Sequence, residues 1–170
     1  PLQNDQPKSA VLHAFVDASM RARAVTGYVA MIMGICVDSY CGRQQMRSAE
    51  SHSVEAIAAS TAVHRLIPLR GLLHEIGLLQ PRATPLFVDS QSTVYVANDD
   101  VAAKKSIWIL RRIGVVLDSV QMGDVAVLKI NRSFNVADIF TRYNTYDTWI
   151  RFMHYIENYF ATLPDPVDVT

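Results

Sequence analysis

The stretch VLHAFVD, residues 11–17, is an apolar run of β-favouring residues that ends on a carboxylate, and it predicts the first strand of a sheet. Two similar runs follow closely, at residues 26–33 and 35–40. Parallel neighbours in a sheet need a crossover of a dozen or more residues, whereas the breaks between these runs are short. The three runs therefore predict an antiparallel meander.

A long helix is predicted after the meander. Apolar residues recur at spacings of three and four from Val54 onward, and Ser51 or Ser53 can serve as the N-cap. Pro68 lacks a backbone donor, so we expect it to kink or restart the helix. The apolar stripe continues beyond it to Gly77, a typical end of a helix.

The rest of the chain alternates between predicted strands and helices. Strands are predicted at residues 86–89 and 125–130, and helices through 94–97 and at 106–120, 136–142 (capped by Asn135) and 145–160. A meander joined to strand–helix–strand crossovers predicts an α/β fold in which one mixed sheet is flanked by helices.

Length and composition bound the class of protein. The chain of 170 residues suffices for a single domain, taken as residues 1–170, with a core over about 10–143 and a C-terminal helix over about 145–161. Sixteen basic and sixteen acidic residues exclude a strongly basic nucleic-acid module but permit a local basic patch. No apolar run is long enough to span a bilayer, so we expect no membrane association.

Two further features bear on where the protein resides. Cys36 and Cys41 form no CxxC motif, and no second Cys/His cluster completes a zinc site, so we expect reduced intracellular thiols. The start at Pro1 rather than Met leads us to expect a piece of a longer polypeptide.

Four carboxylates interrupt or follow apolar segments. Asp17 ends the first predicted strand, Asp89 ends the fourth, Asp138 opens the helix after the fifth, and Glu55 lies in the first turn of the long helix. In open α/β sheets the functional crevice lies beyond the strand ends. Three of these four residues come from such positions, so the sequence predicts that they converge.

Each acid also has a local structural explanation. Asp89 can be an N-cap, Asn135 and Asp138 can form a capping arrangement, and Glu55 can interact with the helix dipole. Asp17 has the weakest such alternative, because no helix directly behind it needs a cap. A buried carboxylate of this kind requires a compensating partner.

A divalent cation is the natural partner of converging carboxylates. Like charges at short range cannot all remain ionised without one. Mg²⁺ takes hard oxygen ligands and is commonly held by a few carboxylates together with a substrate phosphate. Two ions about 3.5–4 Å apart can activate an attacking water and stabilise a leaving oxygen. Convergence of the four acids therefore indicates nuclease or phosphotransferase chemistry.

Four blocks stand in order between residues 12 and 142. They are Phe15-Val16-Asp17-Ala18 with Thr26-Gly27-Tyr28-Val29, then Ser51 to Glu55 with Leu69-Arg70-Gly71-Leu72-Leu73, then Asp89-Ser90-Gln91-Ser92-Thr93, and finally Ala137-Asp138-Ile139-Phe140-Thr141-Arg142. Together they resemble the ribonuclease H domain of copia-type LTR retrotransposon polyproteins, in which the acids follow in the same order.

The resemblance implies a ribonuclease H-like five-stranded sheet of order 3-2-1-4-5, with Asp17 on the central strand. It implies that Asp17, Glu55, Asp89 and Asp138 hold two Mg²⁺ ions, which Mn²⁺ can replace, and hydrolyse the RNA strand of RNA/DNA hybrids during reverse transcription. It further implies a reverse transcriptase domain of the same polyprotein as partner, and a location in the cytoplasm, in virus-like particles or in the nucleus.

The chain departs from the family pattern at three places. Lys105-Ser106-Ile107-Trp108 stands where the family usually has Lys-His-Ile-Asp, and Ser90 replaces the usual Asn. The loop Arg132-Ser133-Phe134 has no histidine of the kind that many cellular ribonucleases H carry there. These departures affect the periphery and leave the four acids in place.

Hybrid binding is expected to depend on phosphate contacts, because such a nuclease must be indifferent to base sequence. Candidate substrate-binding residues follow the fourth strand or cluster around one helix: Ser90, Gln91, Lys104, Lys105, Arg111 and Arg112. The basic cluster can equally be a solvated helix face.

Two other functions remain open from the sequence. One is a catalytically inactive or domesticated ribonuclease H-like module that binds nucleic acid or protein. The other is a strand transferase of the transposase or integrase type, which shares the fold but usually has three acids with the glutamate late in the chain. Glu55 comes too early for that pattern.

Overall fold

The structure is a computed structural model that describes residues 11–20, 23–45, 51–98 and 107–157, without the side chains of residues 51, 52 and 107–112. Five strands are described: β1 (His13–Ser19), β2 (Val25–Ile32), β3 (Ile35–Arg43), β4 (Thr84–Val88) and β5 (Val125–Lys129). The α-helices are α1 (Ser51–Glu75), α2 (Gln91–Asn98), α3 (Ile107–Gln121) and α4 (Tyr146–Ile156), and two 3-10 helices span Arg132–Phe134 and Val136–Phe140.

The strands form one mixed sheet of order β3-β2-β1-β4-β5, which confirms the predicted order. β1, β2 and β3 form the predicted antiparallel meander, whereas β4 is parallel to β1 and β5 is parallel to β4. Val16 is paired with Val88, and Val88 with Lys129. Asp17 follows Val16 and Asp89 follows Val88, so the two acids lie next to each other at one end of the sheet.

Both faces of the sheet are covered, so every residue of the central strand β1 is buried. On one face, Ala14 and Val16 belong to a core with residues of α1 and α3 such as Leu66 and Ile113. On the other face, Phe15 belongs to a second core, together with the second 3-10 helix and Phe152 of α4. The second core holds the C-terminal part of the described chain against the strand that carries Asp17.

Element boundaries differ from the predictions in ways that affect the acids. β1 runs on to Ser19 because its last residues pair with β2, so Asp17 lies inside the strand rather than at its end. α1 begins at Ser51, which places Glu55 beyond the first turn. The helix continues through Pro68, since a proline removes only one backbone hydrogen bond and α1 is held by its packing on the sheet.

Helices stand at both predicted C-terminal positions, with one change of helix type, and residues 158–161 of the predicted last helix lie outside the described residues. Asn135 caps the element that follows it, accepting a hydrogen bond from the backbone of Ala137, but that element is a 3-10 helix rather than an α-helix. Thr145 caps α4. Among the helices of the described residues, none has the length and apolar character needed to cross a bilayer.

Gly27 of β2 lets the second 3-10 helix approach the sheet beside Asp17, its partner in the β1–β2 register. A Cβ atom at this position would lie 2.6 Å from the carbonyl oxygen of Ala137 and 2.9 Å from side-chain atoms of Phe140 and Thr141. Only glycine therefore fits between the strand and the 3-10 helix.

We predict that Gly27→Ala lowers the free energy of unfolding by about 1–3 kcal/mol, because the added methyl group overpacks this contact. Gly71→Ala is the matched control, since Gly71 lies in α1 with no atom within 4 Å of an added Cβ. The control should be stabilised by about 0.5–1 kcal/mol through helix propensity. Urea denaturation of both variants measures the difference, and equal unfolding free energies would contradict the tight contact.

Candidate functional site

Three carboxylates meet near the carboxyl ends of β1 and β4. One oxygen each of Asp17, Glu55 and Asp89 lies within 4.8 Å of the others. β1 supplies the first residue, α1 the second, and the turn after β4 the third. Asp17 has no exposed surface, whereas the other two are partly exposed. We call these three residues the acidic triad.

The triad is electrostatically strained. Burial raises the pKa of Asp17 to about 6, and the charge of Asp89 adds to this, while a hydrogen bond from Thr141 opposes it. Burial, and then the charges of Asp17 and Asp89, raise the pKa of Glu55 to about 8. In each case the charged form is disfavoured by lost hydration and by like charges. A cation at the triad would relieve both effects.

Asp138 is close to the triad but is joined to it through an arginine. It lies on the second 3-10 helix, and its Oδ1 is 2.5 Å from Nε of Arg142. Arg132 is more distant, 4.0 Å from the same oxygen. Burial, and then the charge of Asp17, raise the pKa of Asp138 to about 7. The structure thus brings three of the four predicted acids together and pairs the fourth with Arg142.

Thr141 and Arg142 are partners of Asp17 that the sequence analysis did not assign to the site, although both stand in the fourth sequence block. The hydroxyl of Thr141 donates a hydrogen bond to Asp17 Oδ2. Nη2 of Arg142 donates to both Asp17 oxygens, at 3.3 and 3.2 Å. The sequence does carry a signal for the arginine, because it follows Asp138 by four residues, a spacing typical of ion pairs on a helix. The only signal for the threonine is its place in the fourth sequence block.

Capping does not account for the acids. The Oγ atom of Ser90 accepts a hydrogen bond from the backbone N–H of Thr93 in the first turn of α2, and the two atoms are 3.3 Å apart. Ser90, rather than Asp89, therefore caps this helix. The backbone N–H of Asn135 donates to the carbonyl of Arg132, so no reciprocal capping bond to Asp138 forms. Neither carboxylate is therefore engaged in the predicted capping bond.

Hydrogen bonds made by Asn135 and Lys129 fix the framework of the site. Nδ2 of the fully buried Asn135 donates to the carbonyl of Val16 at 3.0 Å, while its Oδ1 accepts from the backbone of Ala137 at 3.3 Å. Lys129, at the end of β5, donates to the backbone carbonyl of Asp89. These bonds hold the second 3-10 helix against β1 and the end of β5 against the end of β4.

The predicted substrate-binding residues are only partly described. Ser90 caps α2, and Gln91 is exposed at the start of that helix. The remaining four lie outside the described residues or lack a described side chain: Lys104, Lys105, Arg111 and Arg112. Lys129 and Arg132, not predicted as site residues, carry positive charge close enough to counter the rise in the pKa of Glu55.

The donor set of the triad fits a divalent cation. Three carboxylates from three separate elements offer hard oxygen donors, the kind that Mg²⁺ and Mn²⁺ prefer, and no soft sulfur ligand belongs to the group. The raised pKa values of Asp17 and Glu55 agree with a site built to share its charge with a cation.

The chain matches no protein-family model and no curated protein. Among solved structures it is similar to RNase H1 from the halophilic archaeon Halobacterium salinarum NRC-1, with 20% identity over 76% of this chain and 92% of the other, at a TM-score of 0.48. It is also similar to the foamy viral protease-reverse transcriptase in complex with RNA/DNA hybrid, with 10% identity over 85% of this chain and 20% of the other, at a TM-score of 0.53.

The native Prototype Foamy Virus protease-reverse transcriptase is a further similar structure, with 11% identity over 97% of this chain and 22% of the other, at a TM-score of 0.52. This chain thus spans about a fifth of the foamy virus chains. At these identities the likeness to the foamy virus structures is one of fold, and the fold of this chain is a mixed five-stranded sheet of order 3-2-1-4-5 flanked by helices.

We predict that the metal-free protein loses stability as pH rises. The folded state holds protons on Asp17 and Glu55 up to pKa values of about 6 and about 8, whereas the ordinary values are 3.8 and 4.5. The folded state therefore binds more protons, and the free energy of unfolding falls between about pH 4 and about pH 8.

Urea denaturation in a chelator across this pH range tests the prediction. Glu55→Gln should flatten the upper part of the slope, and Glu75→Gln, at the exposed far end of α1, is the control. A free energy of unfolding that rises between pH 5 and 8 in the unmodified chain would contradict the assignment.

Proposed function

We propose that this chain is a divalent-metal-dependent endonuclease that hydrolyses the RNA strand of RNA/DNA hybrids, a ribonuclease H. The observation that carries the proposal is the acidic triad, in which Asp17, Glu55 and Asp89 bring carboxylate oxygens within 4.8 Å of one another. They do so near the carboxyl ends of two parallel strands, close to the position of functional crevices in open α/β sheets.

The residues of the triad would hold the metal, with Asp138 beside them for a second ion. Bound Mg²⁺ supplies Lewis-acid stabilisation of a phosphodiester and activation of water. The chain's own contribution is to place the ligands. Thr141 orients the Asp17 carboxylate, and Lys129 fixes the backbone of Asp89.

The substrate class follows from charge and from the similar structures. Lys129 and Arg132 lie near the acids, where they can attract phosphate groups of a nucleic acid. The similar foamy viral protease-reverse transcriptase was solved with an RNA/DNA hybrid. We therefore propose a hybrid as substrate, with Ser90, Gln91, Lys104, Lys105, Arg111 and Arg112 as further contacts.

The four sequence blocks support a copia-type retroelement polyprotein as the source of the domain. We propose that a reverse transcriptase domain of the same polyprotein supplies hybrid to this site. Such a protein would act during reverse transcription inside the cell, in the cytoplasm, in virus-like particles or in the nucleus.

We predict that Asp17→Asn lowers cleavage of a labelled RNA/DNA hybrid in Mg²⁺ by at least about a hundredfold, because metal-ion stabilisation is worth several kcal/mol and each 1.36 kcal/mol is about tenfold in rate. Asp118→Asn is the control, since Asp118 is exposed on α3. Circular dichroism of both variants checks that the fold is retained. Equal cleavage by Asp17→Asn and the unmodified chain would overturn the proposal.

The same assay separates the proposed enzyme from the inactive module. A chain that shifts the hybrid in a gel but leaves its RNA intact in both Mg²⁺ and Mn²⁺ would be the binding module. The enzyme should release labelled RNA fragments only when the divalent ion is present.

A further inference from the structure

The guanidinium group of Arg142 lies between two carboxylates. Nη2 is 3.3 and 3.2 Å from the two oxygens of Asp17, and Nε is 2.5 Å from Oδ1 of Asp138. Only 26% of the arginine side chain is exposed, and both carboxylates are buried. A cation of the protein itself thus joins two of the four acids.

We propose that Arg142 is a tethered cation that occupies the position between Asp17 and Asp138. The acidic triad then takes up a divalent ion first, and a second ion enters only when the guanidinium leaves. This inference rests on the proposed function, because it describes how ions load at the same site.

Competition for the same oxygens is the physical basis. Both Asp17 oxygens accept from Arg142, so an ion bridging Asp17 and Asp138 needs the lone pairs and the space that the guanidinium now fills. Within the described contacts, Arg142 pairs with neither Glu55 nor Asp89. Glu55 and Asp89 therefore offer oxygens that the arginine does not occupy, so an ion at the triad needs only one Asp17 oxygen, whereas an ion between Asp17 and Asp138 has to displace the guanidinium from both acids.

The side chain of Arg142 can change its rotamer while its backbone stays in place. Its own N–H donates to the carbonyl of Asp138 at 3.2 Å, which fixes the main chain, while the long side chain retains several rotatable bonds. The arginine side chain is itself 26% exposed, so part of it already reaches solvent. An arginine stays charged at any working pH, so the competition does not depend on its protonation.

Ion binding distinguishes this proposal from a purely structural arginine. Mn²⁺ titration by calorimetry, with free Mn²⁺ followed by electron paramagnetic resonance, should give one tight site and one weak site in the unmodified protein. In Arg142→Gln the second site should tighten by at least about tenfold, because the variant removes a charge-assisted contact to each acid. Arg142→Gln combined with Asp138→Asn should lose the second site and keep the first.

Arg132→Gln is the matched control. Arg132 is also cationic and near Asp138, but its closest approach is 4.0 Å and its side chain is 62% exposed. This variant should leave the affinity of the second site within about threefold, as for an exposed ion pair. The Nε–H resonance of Arg142 in the unmodified protein should shift only in the second phase of a Mg²⁺ titration.

Three other outcomes of these titrations would overturn the proposal on Arg142. Two sites of equal affinity in the unmodified protein, unchanged in Arg142→Gln, would overturn the inference and leave the nuclease proposal standing. A second site that tightens as much in Arg132→Gln as in Arg142→Gln would also overturn it, since the effect would be one of general charge. Absence of Mn²⁺ uptake by every variant would overturn the inference and the proposed function together.

Discussion

A fully buried carboxylate on the central strand is the constraint around which the site is organised. Asp17 has no exposed surface, and removing a charge from water is costly unless hydrogen bonds and opposite charges replace the lost hydration. The structure supplies two donors, Thr141 and Arg142, from a segment that reaches the strand because Gly27 carries no side chain. Even so, burial keeps the pKa of Asp17 at about 6, so these two donors do not fully compensate the lost hydration of the carboxylate.

The uncompensated negative charge at Asp17 connects the architecture to the proposed chemistry. Parallel pairing of β1 with β4 sets Asp17 beside Asp89, and packing of α1 on the sheet adds Glu55, so like charges accumulate at one edge. Lys129 and Arg142 offset part of this charge from the protein side. A divalent cation is complementary to the negative charge that is left, and the proposed nuclease function rests on this complementarity rather than on a capping role for each acid.

Local sequence pattern predicted the meander and the mixed sheet, because strand and helix periodicities are properties of short segments; the strand order came from the resemblance to a family. Asp89 was predicted as the last residue of the fourth strand and lies one residue beyond β4, a small difference because the strand and the turn are both local. Asp138 pairs with Arg142 and lies outside the triad. Both facts depend on how closely the second 3-10 helix approaches β1. That approach is set by a glycine on a different strand, which no local pattern reveals.

The bonds that complete the surroundings of Asp17 join residues very far apart along the chain. Asn135 bonds to Val16 across 119 positions, and Thr141 to Asp17 across 124. A polypeptide emerging from the ribosome therefore holds its first acid long before the partners of that acid have been synthesised. The pocket around Asp17 can therefore form only after nearly all of the domain has been synthesised. A truncated translation product that stops before Asn135 and Thr141 would lack both hydrogen bonds.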